Sequence, residues 1–137
     1  MNETLTLHND IGEVPKLGEW IEQKGEELSM PMSDIFQINL ALEEAVVNVM
    51  NYAYPEQEGM PVRLNMQGDN TRLIFTLEDD GIPFNPTADA KSPDITLSAE
   101  ERPIGGLGIF LVKKIMSNVR YERLDNHNIL TMTYERK

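Results

Sequence analysis

A carboxylate and a carboxamide lie one helical turn apart in the segment Glu43-Glu44-Ala45-Val46-Val47-Asn48. Glu44 and Asn48 are four residues apart, so in a helix both side chains lie on one face. Their apolar neighbours place the pair at the edge of a buried face. Such a pair could hold a proton acceptor next to a metal-bound oxygen. The alternative is an ordinary polar pair on a solvated helix.

A second group of polar residues, Glu78 to Pro86, follows a run with the alternation of a strand. Asp79, at the strand terminus, could accept a hydrogen bond from an exocyclic amine, and Gly81 lets the backbone turn sharply and approach a ligand. The alternative is a plain turn, because Asp, Gly and Pro are common turn residues. The apolar Ile82 and Phe84 are unusual for a simple turn.

Glycines form the third group, Ile104-Gly105-Gly106-Leu107-Gly108, directly before an apolar helical pattern. Glycines at the first turn of a helix expose free N–H groups to an anion. The spacing lacks the third glycine of a dinucleotide-binding fingerprint and the Gly-Lys-Ser/Thr ending of a Walker loop. The alternative is a flexible hinge before a core helix.

The remaining sequence supplies the elements that must position these three segments. Its periodicity predicts a strand at Thr4–Leu7, a helix from Val14, a helix from Ser33 to Tyr54 capped by Ser33 or Asp34, strands Pro61–Gln67 and Thr71–Glu78, a helix opening on Gly106-Leu107-Gly108, and strands Val119–Leu124 and Ile129–Tyr134 joined by the turn Asp125–Asn128. This order predicts one α+β domain over residues 1–137, built as a two-layer sandwich.

Composition limits the partners and the compartment. The net charge of −11 argues against nucleic acid or an anionic membrane as a partner, so a phosphate ligand would need local neutralisation. The absence of cysteine excludes disulfides and thiolate metal sites. Neither a signal peptide nor an apolar run of about 20 residues is visible, so a soluble cytoplasmic protein is expected.

Taken together, in this order and spacing, the three segments resemble the N, G1 and G2 boxes of the histidine-kinase-like (GHKL) ATPases, and most closely those of the bacterial anti-sigma-factor serine/threonine kinases. The resemblance rests on Leu42 to Asn48 with Tyr52-Ala53-Tyr54-Pro55, on Asp79 to Pro86, and on Gly105 to Ile109. It implies the Bergerat-type ATP-binding fold, a mixed, mainly antiparallel sheet with three helices on one face. Tyr52 stands where several members carry histidine.

The resemblance also implies a role for each matched residue toward ATP and Mg²⁺. Asn48 would hold the Mg²⁺, and Glu44 would be the general base. Asp79 would bind the adenine amino group, with Gly81 leaving room for the base. Phosphates would meet the helix N–H groups under a lid of about residues 87–103. The implied nucleotide contacts also include Asn51, Phe84, Arg102 (at the γ-phosphate), Gly105, Gly106, Leu107 and Gly108, with Lys113 or Lys114 as further sources of positive charge.

The function implied is a protein serine/threonine kinase that phosphorylates a STAS-type anti-anti-sigma partner and possibly binds a sigma factor, as a homodimer. No dimerisation helix with a phospho-accepting histidine precedes the segments, which argues against a sensor histidine kinase. The alternative function is an ATP-gated switch that changes partner affinity without transferring phosphate.

Overall fold

The computed structural model describes residues 2–54, 57–86 and 106–136, and only the backbone of 106–108. In chain order the elements are β1 (Asn2–His8), a 3₁₀ turn (Ile11–Glu13), α1 (Val14–Glu27), α2 (Met32–Tyr52), β2 (Pro61–Gly68), β3 (Arg72–Asp79), α3 (Gly106–Ile115), β4 (Asn118–Leu124) and β5 (His127–Glu135). The predicted order of elements is therefore confirmed. The predicted lid lies outside the described residues.

The five strands form one sheet in the order β1-β2-β3-β5-β4, and every pairing among them is antiparallel. Alternate strand residues point to one side, where they pack with the buried faces of the helices in a single core. The predicted apolar alternations of β2 and β3 supply much of that core. The α+β two-layer architecture with its helices on one face is confirmed, but the described sheet is antiparallel throughout and not mixed as expected.

Helix α2 is the central helix, in contact with both α1 and α3. Nine of its residues are buried, which explains why this segment has the strongest helical pattern. It begins at Met32, and no side chain caps it, so the prediction of a Ser33 or Asp34 cap is wrong. The backbone carbonyl of Pro31 accepts instead from the N–H groups of Asp34 and Ile35. Among the described helices, none is long and apolar enough to cross a membrane.

The hairpin that joins β4 and β5 is shorter than the predicted four-residue turn. Asp125 and Asn126 both have positive φ, 51° and 67°. Positive φ at both central residues is typical of a two-residue type I′ turn, and Asp and Asn tolerate this conformation better than most residues. Strand β5 therefore begins at His127, so Asn128 belongs to the strand and not to the turn. This difference changes the composition of the site.

Candidate active site

The α2 part of the site consists of Glu44 and Asn48, one turn apart on the same helix face as predicted. Glu44 is half-buried, whereas the Asn48 side chain is buried, with 5% of its surface exposed. No residue in the described part of the chain forms a hydrogen bond with the Asn48 carboxamide. A carboxamide oxygen is one of the oxygen ligands that Mg²⁺ and Ca²⁺ accept, so a cation site at Asn48 stays a prediction. Asn51 lies near the end of α2 and is exposed.

Asp79 is the last residue of β3, and its side chain is almost completely buried, with 1% exposed. Its Oδ1 accepts hydrogen bonds from the Gly81 N–H at 2.8 Å and from Asn128 Nδ2 at 2.9 Å. Oδ2 has no hydrogen bond from the residues that the structure describes. Burial raises the pKa of the Asp79 carboxyl, and the bonds from Asn128 and Gly81 oppose that rise. Among the described residues nothing bonds this second carboxylate oxygen, so it can accept a hydrogen bond from a ligand.

Asn128 is a site residue that the sequence analysis missed. It lies directly opposite Asp79 in the pairing of β3 and β5, and only 4% of it is exposed. Its carboxamide joins β5 to residues Asp79–Ile82, called the Asp79 turn below. Nδ2 also donates to the Ile82 carbonyl at 2.7 Å, and Oδ1 accepts from the Phe84 N–H at 3.2 Å. The sequence did contain a signal for this residue, the alternation of inward and outward side chains along a strand. Asn128 points inward like Leu130, Met132 and Tyr134, which follow it at every second position.

Gly81 lies where the Asp79 turn touches the end of α2. A Cβ added there would be 2.6 Å from the Ala53 carbonyl carbon and 2.8 Å from the Ala53 Cβ. The next residue, Ile82, donates its N–H to the Ala53 carbonyl oxygen at 2.8 Å. Glycine is therefore needed for this backbone approach. That it also leaves room for a base stays a prediction.

Two aromatic contacts hold the same turn against α2. The buried Tyr54 hydroxyl donates to the Pro61 carbonyl at 2.6 Å and accepts from the Asp80 N–H at 2.6 Å. Helix α2 ends at Tyr52, two residues earlier than predicted, so Tyr54 makes these bonds from beyond the helix end. The Tyr52 ring packs on Phe84, with ring centroids 5.5 Å apart. The α2 and Asp79 segments thus form one unit.

Replacing Tyr54 with Phe is expected to lower the free energy of unfolding by about 2–3 kcal/mol, because it leaves the Asp80 N–H and the Pro61 carbonyl without their partner. Urea denaturation followed by circular dichroism measures the change. Tyr52→Phe is the matched control, since in the described part of the chain the Tyr52 hydroxyl has no hydrogen bond. A loss as large in the control as in Tyr54→Phe would show that the Tyr54 bonds carry no stability.

Helix α3 carries the third segment. It begins at Gly106, as predicted, so Gly106, Leu107 and Gly108 form its first turn, and the helix packs against α2. The first N–H groups of a helix have no intrahelical acceptor and are available to an anion. Arg102 and Gly105 lie outside the described residues, so their predicted contacts remain predictions.

Lys113 and Lys114 do not lie beside the glycines. Both are exposed residues in the last turn of α3. At 1.5 Å per residue, that turn lies about 10 Å along the axis from the first one. That Lys113 or Lys114 supplies positive charge to a phosphate stays a prediction, and the N-terminal N–H groups of α3 are the nearer donors to an anion at the glycines.

Comparison of the sequence with known protein families identifies the family of this chain. The sequence profile of the histidine kinase-like ATPase domain matches residues 7–134, nearly the whole chain. The chain belongs to the histidine kinase-like ATPase family. The match contains all three segments described above.

Relatives of this histidine kinase-like ATPase domain include kinases and an anti-sigma factor. It is 28% identical over 98 residues to serine/threonine-protein kinase BtrW of Bordetella bronchiseptica, covering 72% of this chain and 68% of the relative. It is 28% identical over 107 residues to serine-protein kinase RsbW of Halalkalibacterium halodurans, covering 77% and 65%. With anti-sigma F factor of Pasteuria penetrans the identity is 30% over 95 residues, covering 69% and 63%. The chain thus spans about two thirds of the length of these relatives.

Solved structures agree on the fold of the ATPase domain. A crystal structure of RsbU and RsbW domains from Mycobacterium tuberculosis superposes with a TM-score of 0.67 at 15% identity, covering 100% of this chain and 33% of that one. A mycobacterial sensor histidine kinase, MprB, superposes with a TM-score of 0.56 at 15% identity, covering 96% and 97%. At such identities the likeness concerns the fold alone.

Proposed function

We propose that this chain is an ATP-dependent protein serine/threonine kinase of the anti-sigma type. Its substrate would be a serine or threonine of a STAS-type anti-anti-sigma partner, and a sigma factor would be its second partner. The observation that carries the proposal is the buried Asn48 carboxamide, which lies one helical turn from the Glu44 carboxylate on α2. The serine kinases among the relatives support the reaction class.

The α2 residues would perform the chemistry. The Asn48 carboxamide oxygen would hold Mg²⁺, which when bound supplies positive charge next to the phosphates. The Glu44 carboxylate would take the proton from the attacking serine hydroxyl. The serine oxygen then forms a bond to the γ-phosphorus while the bond from that phosphorus to the β–γ bridging oxygen breaks, and ADP leaves. Phosphoryl transfer depends mainly on such positioning and charge stabilisation.

The other two segments would bind the rest of the nucleotide. Asp79 Oδ2 would accept a hydrogen bond from the adenine amino group, next to the Gly81 turn. The N–H groups of the Gly106-Leu107-Gly108 turn would face the phosphates. Asn51, Phe84, Gly105 and Arg102, a lid at about 87–103, and a homodimeric state remain parts of the proposal.

Asp79→Asn is expected to weaken ATP binding by roughly 100-fold, because it replaces a charged acceptor by an amide. Burial raises the pKa of Asp79 in the folded state above its unfolded value. Above the folded pKa the ionised side chain therefore destabilises the fold, and this penalty disappears as the pH falls through that pKa. The variant should then melt at a higher temperature than wild type at pH 7, with the difference shrinking at acidic pH.

Calorimetric titration with ATP and thermal melting between pH 4 and pH 8 measure both effects. Asp80→Asn is the control: Asp80 is an exposed neighbour whose pKa is lowered by the Arg63 contact, so its loss should not raise the melting temperature at pH 7. Unchanged ATP affinity in Asp79→Asn would contradict the assigned role.

The first experiment is phosphate transfer from labelled ATP, with Mg²⁺, to STAS-domain proteins of the same genome. Label on a partner serine or threonine that disappears in Asn48→Ala would support the kinase. An ATP-dependent complex with a partner, without label, would instead favour the ATP-gated switch. Neither label nor complex would contradict both functions.

A further inference from the structure

The Asn128 carboxamide uses all of its hydrogen-bonding capacity inside the protein. Its two N–H bonds go to Asp79 Oδ1 and to the Ile82 carbonyl. Its oxygen accepts from the Phe84 N–H, from the Tyr121 hydroxyl at 2.6 Å and from Arg123 Nη1 at 3.2 Å. An asparagine amide has two donors and one acceptor oxygen, so nothing remains for a ligand. The residue acts on its neighbours rather than on a bound molecule.

We propose that Asn128 is a positioning residue that fixes the Asp79 carboxylate so that Oδ2 alone faces the 6-amino group of a purine nucleotide. This inference rests on the proposed function. The Gly81 N–H belongs to the same turn as Asp79 and moves with it. Asn128 comes from another strand, 49 residues away in sequence, and therefore sets the carboxylate relative to the sheet.

A second contact of the same amide fixes the turn itself. Asn128 Nδ2 donates to both Asp79 Oδ1 and the Ile82 carbonyl, the two ends of the Asp79–Ile82 turn. Arg123 adds a bond from Nη1 to the Gly81 carbonyl at 2.8 Å. The turn is thus held by side chains from β4 and β5. A carboxylate held in this way selects a donor and rejects a purine that lacks the amine.

The charge on Asp79 depends on the same contact. The charged and titratable groups around Asp79 are Asp80 in the turn, Arg123 from β4 and Tyr54 after α2. Burial raises the pKa of Asp79, and the Asn128 bond opposes the rise more than the Gly81 bond or Arg123 does. Without Asn128 the carboxylate would take up a proton at a higher pH and lose its acceptor character toward the amine.

The test compares ADP with purine riboside 5′-diphosphate, which is ADP without the 6-amino group, in wild type and Asn128→Ser. Isothermal titration at pH 7 gives the ratio of the two affinities. Wild type should prefer ADP by about 10-fold or more, the value of a hydrogen bond to a charged group. Asn128→Ser should reduce this preference to about 2-fold or less while the affinity for purine riboside diphosphate stays nearly the same. If Asn128 had only a structural role, the variant would bind both ligands more weakly by the same factor.

Two further measurements distinguish the positioning of Asp79 by Asn128 from a general loss of the hydrogen bonds around Asn128. Tyr121→Phe removes one bond to the Asn128 oxygen but keeps the Asp79 contact, so it should retain the wild-type preference. As the pH is lowered, Asn128→Ser should lose ADP affinity at a higher pH than wild type does. If the serine variant does not fold, Asn128→Thr serves in the same titration.

The outcomes distinguish this inference from the proposed function. Wild type without any preference for ADP would overturn the assignment of Asp79 to adenine, and the inference with it. A wild-type preference that persists in the Asn128 variants, or that is lost equally in Tyr121→Phe, would overturn the inference alone. Loss in the Asn128 variants only would support it.

Discussion

Glu44→Gln is expected to lower phosphate transfer to the partner protein by roughly 100- to 10,000-fold, the usual contribution of a general base. The change keeps the size of the side chain and its place on α2 but removes the proton acceptor. ATP affinity should stay within about threefold of wild type, because the base acts on the attacking hydroxyl and not on the nucleotide. Single-turnover transfer of labelled phosphate, together with calorimetric titration of ATP, measures the two quantities separately.

Glu43→Gln provides a matched control for this variant. Glu43 is the preceding residue of the same helix, and its side chain is exposed. Removing its charge changes the electrostatics of α2 almost as the Glu44 variant does, so transfer should remain near the wild-type rate. Equal transfer rates in wild type and Glu44→Gln would rule out Glu44 as the base. An equal loss of transfer rate in both variants would mean that the negative charge of α2, and not a specific base, supports the reaction.

Gly81→Ala is expected to destabilise the protein by about 3 kcal/mol or more and to abolish measurable ATP binding. The added Cβ would be 2.6 Å from the carbonyl carbon of Ala53, and a clash with backbone cannot be relieved by a rotamer change. The turn would have to move away from α2, which breaks the bond from the Ile82 N–H to the Ala53 carbonyl. Because the Gly81 N–H also bonds Asp79, the acceptor proposed for the adenine amine would move with the turn.

Urea denaturation and nucleotide titration test this prediction against Gly18→Ala. At Gly18, in α1, the nearest atom to an added Cβ is Asn39 Nδ2 at 3.7 Å, an ordinary van der Waals contact. Alanine is the better helix former, so the control should gain about 0.5–1 kcal/mol. A Gly81→Ala protein as stable as wild type would mean that the turn can shift freely, and the joint role of α2 and the turn would then be abandoned.

The sequence predicts the fold well because its signals are local. Apolar alternation in β2 and β3 and the broad apolar face of α2 each depend on residues close in sequence, and the structure confirms them. The placement of Glu44 beside Asn48 follows from helix geometry alone. The start of α3 at Gly106 is confirmed for the same reason, since it follows from the residues of that segment.

The contacts that complete the site could not be predicted in the same way. Asn128 reaches Asp79 only because β3 pairs with β5, and its inward position depends on a turn of two residues rather than four. Tyr54 and Ala53 meet the Asp79 turn through single hydrogen bonds between segments distant in sequence. Such contacts depend on strand order and register, which periodicity does not specify.

The pairing of β3 with β5 also determines when the proposed nucleotide site is complete during synthesis of the chain. The β1–β3 strands with α1 and α2 emerge from the ribosome first, yet the central strand β3 then lacks one of its two neighbours. Asp79 lacks the hydrogen bond from Asn128 until that residue, 49 positions later, has been made. We therefore expect that nascent chains do not bind ATP until β5 has paired with β3, and that ATP stabilises only the completely folded domain.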